Sequence, residues 1–185
     1  MSVPSSTAHV TVEPETFTLV SYDSSVIATI VSQLAQRLDI THPIRVEVDE
    51  TTPLGKSSAE FDGEISSDTT IVVRIESGAL ENTKRLTTFS EPRARLSLGM
   101  ALLRARDRTR PDFDGVPGDR ELTNAQNSAW DAYCAGRLSR LGLEPTPQRY
   151  RYDFRNRFGF SDDVDVAFDR LWAADDLGWS EFPTA

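Results

Sequence analysis

The sequence predicts an α+β fold: a small twisted β-sheet of three to four strands packed with several α-helices, and a helix-rich C-terminal half. Three observations carry this. Ile44, Val46 and Val48 alternate with Arg45, Glu47 and Asp49, the two-residue period of a half-buried strand. Ile71-Val72-Val73 is a continuous β-branched run of the kind found in central strands. Beyond Gly78, apolar residues recur mostly at spacings of three and four, which is the helical period.

The elements follow in order. His9-Val10-Thr11-Val12 alternates and suits an edge strand within an otherwise flexible N-terminal segment, residues 1–18. Ser24 or Ser25 can cap a helix whose inner face is Ile27, Ile30, Val31, Leu34 and Leu38. The strand at 44–49 comes next, then the turn Thr51-Thr52-Pro53-Leu54-Gly55. Residues 59–65 are expected as a strand with Asp62-Gly63 as a turn or bulge, and 70–75 as the strongest strand. Residues 79–84 read as one short turn. Ser90, Glu91 and Pro92 open a helix to about Arg106, with a stripe wide enough for deep burial: Leu96, Leu98, Gly99, Met100, Ala101, Leu102, Leu103 and Ala105.

Pro111, Gly115, Pro117 and Gly118 mark a loop. A long helix over 123–141 carries Ala129, Trp130, Tyr133, Cys134, Leu138 and Leu141, with Gly142 as its C-terminal stop. Pro145 and Pro147 separate it from a helix bearing Tyr150, Phe154 and Phe158. After the turn at Gly159, Ser161 caps a last helix with Val164, Phe168, Leu171 and Trp172. The expected organisation is one domain over 19–174, followed by a tail, 175–185.

The chain is acidic, with 20 basic against 29 acidic residues. No apolar run approaches the ~20 residues of a membrane span. Residues 1–18 lack the basic start and apolar core of a secretory signal. A single cysteine, Cys134, leaves no internal disulfide and no Cys-based zinc cluster. The expectation is a cytoplasmic protein with no cofactor, no metal and no membrane partner.

Common chemistries find no motif. A hydrolytic zinc takes three ligands, usually with two His on one helical face, and only His9 and His42 are present. Asp112, Asp114, Asp119 and Glu121 surround Gly115 and Gly118, but the spacing fails the register of a calcium loop. Cys134 lies on an apolar helical face with no His beside it. There is no Gly-x-Ser-x-Gly elbow and no phosphate loop. The run from Arg149 to Phe158 mixes Arg with aromatics, as nucleic-acid binders do. The acidic start of the next helix, Asp162-Asp163-Val164-Asp165, would repel a phosphate backbone and is expected to pair with those arginines instead.

The order of elements over 44–141 resembles the zincin metallopeptidase core. Residues 93–103, Arg-Ala-Arg-Leu-Ser-Leu-Gly-Met-Ala-Leu-Leu, stand where that family has its His-Glu-x-x-His helix. Residues 124–135 resemble its later ligand-bearing helix, here with Asn124 and Asn127. Arg157-Phe158-Gly159-Phe160-Ser161, followed by Arg170-Leu171, is similar to the tail of the zincins that cleave repressors. With Leu, Gly, Met or Ala at the ligand positions, the resemblance implies a metal-free scaffold with no catalytic residue to carry over.

The expected role is therefore non-catalytic, through binding of another protein, with Trp179 and Phe182 of an exposed aromatic and acidic tail as the contact. The alternative is an enzyme acting on an anionic small molecule. Arg104 and Arg106 would then hold the substrate in a cleft with Asp112, Asp114, Asp119 and Glu121, one carboxylate serving as base.

Overall fold

The computed structural model describes residues 8–183. The fold is α+β, with five α-helices, a four-stranded mixed sheet and a two-stranded hairpin. The chain divides into two compact units, one ending at Arg106 and one starting at Asp107. Among the described residues, no helix is long and apolar enough to cross a membrane.

The first unit contains β1 (Val10–Glu13), α1 (Ser24–Arg37), β2 (Ile44–Asp49), β3 (Ser57–Phe61), β4 (Ile71–Glu76), β5 (Glu81–Asn82), β6 (Arg85–Phe89) and most of α2 (Glu91–Arg108). The four-stranded sheet has the order β1-β2-β4-β3. Strands β1, β2 and β4 run parallel and β3 lies antiparallel on β4. The segment before residue 18 is thus partly structural: Val10–Glu13 forms an edge strand, because Val12 buries alongside Val46. Residues 1–7 lie outside the described residues. β3 ends at Phe61, earlier than expected, since Gly63 (φ +114) turns the chain away.

The alternation in β2 does what its period demands. Ile44, Val46 and Val48 join Ile71, Val73 and Ile75 in the core, together with Ile27, Ile30, Val31 and Leu34 of α1. The opposite sheet face carries an ion-pair ladder. Arg74 Nε donates to Glu47 (3.0 Å) and pairs with Glu60, while Arg45 bridges Glu47 and Asp62. Asp23, one residue before the expected serines, caps α1 by accepting from Ser25 N (2.8 Å).

After β4, residues 77–80 are buried and pinned from several sides. Tyr22 Oη donates to Ser77 O (2.8 Å), Arg93 Nη2 to Gly78 O (3.1 Å) and Ser97 Oγ to Ala79 O (3.1 Å). Burial, chiefly, pushes the Tyr22 phenol up to about 12, so it stays a donor. The short turn expected at 79–84 is instead the start of the β5–β6 hairpin.

The second unit holds α3 (Asn124–Arg140), α4 (Pro147–Phe158) and α5 (Asp162–Ala173), with the tail packed on them. Thr123 opens α3 with a reciprocal capping box to Gln126. Gly142 (φ +80) follows its end as expected, and Ser161 caps α5. Alanines 129, 132 and 135 and Gly136 keep one side of α3 narrow. Arg140 crosses to the end of α5 and donates to Trp172 O (2.6 Å), Ala174 O and Asp175, satisfying carbonyls that the helix leaves free.

Two glycines admit no side chain. A Cβ at Gly78 would overlap the Pro53 and Leu54 carbonyl oxygens, and one at Gly136 would overlap the Trp172 carbonyl. Gly78→Ala and Gly136→Ala should each destabilise by about 3 kcal/mol or more, since backbone rather than a flexible side chain must move. Chemical denaturation checks this; unchanged midpoints would contradict the packing. Thr87 behaves oppositely. It is a β-branched residue at φ +58, so Thr87→Gly should raise stability by up to about 1 kcal/mol.

Candidate functional site

Charge inside the second unit converges on Asp107, whose side chain is 1% exposed. Arg137 Nη1 donates to Asp107 Oδ1 (2.7 Å) and Arg137 Nη2 to Oδ2 (2.6 Å), a bidentate pair. Trp130 Nε1 adds a third bond to Oδ2 (2.8 Å). Arg137 Nη2 also reaches Cys134 Sγ (3.3 Å), and its guanidinium lies 3.8 Å from the Tyr133 ring centroid. Burial works against the Arg137 charge, but the Cys134 sulfur and the Asp107 carboxylate outweigh it, so its pKa lies above the ordinary value.

Trp130, Tyr133, Cys134 and Arg137 are three to four residues apart, so α3 presents them on one side. Tyr133 Oη accepts from Leu177 N (3.0 Å) and donates to Asp175 O (2.8 Å). Burial raises this phenol above its usual range as well. Through it the charge centre holds the tail.

The tail is not an exposed contact. Phe182 is 7% exposed and Trp179 is half-buried. Their rings join Phe113, Trp130 and Tyr133 in one cluster: Trp130 to Trp179 is 5.2 Å between centroids, and Tyr133 to Phe182 is 5.5 Å. Three aromatic neighbours and a closing 3₁₀ turn at Trp179–Glu181 make burial more favourable than exposure.

The proposed cleft residues are engaged separately. Asp112 accepts from Arg110 Nη2 (2.6 Å). Asp119 pairs with Arg108 at 3.0 Å, a largely buried contact, and Arg108 lies 4.6 Å over the Trp130 ring. Glu121 accepts from Gly118 N (3.3 Å), and Asp114 is exposed. In the first unit, Arg104 is buried and Arg106 exposed. Among the described residues, no group of three or more His, Cys, Asp or Glu is placed to hold a metal ion.

The α4–α5 hairpin settles the arginine-rich run. Arg155 Nε donates to Asp165 Oδ1 (2.8 Å), and Arg151 pairs with Asp169 and, at 3.4 Å, with Asp165. The Arg155 hydrogen bonds hold the Asp165 carboxyl below its ordinary value. Arg151 and Arg155 thus meet the neighbouring acidic helix, as its acidic start suggested, through Asp165 and also Asp169. Inside the hairpin Phe158 stacks on Phe154 and Phe168 on Trp172, and Phe154 meets Phe168 at a tilt, 5.9 Å between centroids. Outside it, Tyr152 and Phe160 are 60% and 66% exposed, with centroids 6.2 Å apart.

The sequence reading missed Asp107 and Arg137. A signal was present: an Arg on the apolar stripe of α3 needs a buried anion, and Asp107 is the acid at the end of the other apolar helix. Tyr152 was read only as part of the basic, aromatic stretch 149–158, and Phe160 only in the turn after it and in the resemblance to the zincin tail.

Asp107→Ala and Arg137→Ala should each cost about 3–5 kcal/mol in urea denaturation, because each strands a buried charge. The double variant Asp107→Leu/Arg137→Met should recover most of that loss. Single variants within 1 kcal/mol of the parent would contradict a buried pair.

No family model, curated protein or solved structure matches the chain.

Proposed function

We propose that the protein acts without catalysis, by binding another protein through the outer face of the α4–α5 hairpin. The observation that carries this reading is the exposed Tyr152–Phe160 pair. The other described rings of the second unit are buried or half-buried. Single exposed apolar residues are ordinary, but adjacent aromatics beside free Arg side chains have the composition of interface hot spots. Arg149 and Arg157 are exposed on the same helix.

The zincin resemblance supports the non-catalytic half of the reading. A helix, a twisted sheet and then a buried helix is the order it implies. α2 bears Leu96, Gly99 and Met100 where that family's ligands would stand. The alternative of an Arg and carboxylate cleft draws less support, because Asp112, Asp119 and Glu121 already serve local partners.

The test is affinity capture with the full chain against Tyr152→Ala/Phe160→Ala. Both side chains are exposed, so the melting temperature should not change. Each truncation of a hot-spot aromatic removes about 2 kcal/mol, so a retained partner should bind about 30-fold more weakly or worse. Equal recovery on both baits, or no stoichiometric partner on either, would overturn the reading.

A further inference from the structure

The β5–β6 hairpin has an irregular register. Glu81 opposes Phe89 and Asn82 opposes Arg85, so Leu86, Thr87 and Thr88 form a bulge without counterparts on β5. Two hydrogen bonds hold Thr87 in its left-handed conformation. Its N–H donates to the Glu81 carboxylate, and its carbonyl accepts from Ser21 N (2.8 Å). A bulge re-aims the side chain beside it. Leu86 is 77% exposed, more than any other large hydrophobic among the described residues. Lys84 and Arg85 directly precede it; both are exposed and make no ion pair among the described residues.

We infer that the tip Lys84-Arg85-Leu86 docks on an acidic protein surface that offers an apolar socket. The charge argument is local. The chain carries a net charge of −9, so it repels an acidic partner over most of its surface. Two free cations beside one projecting Leu supply the exception, steering the approach while the Leu supplies burial. The bulge fixes the Leu outward before any partner arrives, which lowers the ordering cost of binding. This contact is independent of the α4–α5 face.

Fluorescence anisotropy with the full chain and a labelled peptide of alternating Glu and Leu tests it. The peptide should bind, more weakly as salt rises. Leu86→Ser and Lys84→Glu/Arg85→Glu should each weaken binding about tenfold or more at an unchanged melting temperature. A second arm uses phosphatidylcholine vesicles containing phosphatidylserine. Absent peptide binding, or binding indifferent to either variant, overturns the inference. Binding to vesicles in place of the peptide overturns it too, by assigning the tip to a lipid surface.

Discussion

A carboxylate held almost out of water must be neutralised where it stands, and Asp107 is neutralised by Arg137 with Trp130 as a third donor. Much of the second unit follows from that requirement. The pair fixes which side of α3 faces inward. It sets Arg137 over the Tyr133 ring, and Tyr133 in turn grips the tail at Asp175 and Leu177. Trp179 and Phe182 then close against Trp130 and Phe113. Such a pair is a weak source of net stability, but removing one partner leaves the other charge buried and unpaired.

The same logic, at lower cost, orders the rest. On the α4–α5 hairpin Arg151 and Arg155 pair with Asp165 and Asp169. On the sheet, the ladder through Glu47 and Arg74 covers Val72, which is 2% exposed although it faces the charged side. What is left unsatisfied on the surface is therefore conspicuous. Among the described residues it includes an aromatic pair at Tyr152 and Phe160 and a projecting Leu86 with two cations.

Much of the fold was legible because period and punctuation agreed. The alternation of β2, the run in β4, the glycine after α3 and the serine before α5 each acted locally. What was not legible depended on distant partners. The β5–β6 hairpin uses Glu81 and Ser21 to hold a strained Thr87, and no window of sequence displays that. The tail reads as exposed when taken alone, because aromatic residues among acids have no visible partner until Trp130 and Tyr133 are placed beside them. The site was less legible still. Its charge centre joins residues 30 positions apart in the chain, and the contributing Asp stands in a run of arginines.

Hydrogen exchange resolved along the chain tests this account most directly. If Asp107, Arg137 and Tyr133 bind α3 and the tail into one core, amides of residues 128–138 and the Leu177 amide should exchange slowly and open together with increasing denaturant. Rapid exchange at Leu177 while α3 stays protected would contradict it, since the tail would then be a loose appendage rather than part of the core.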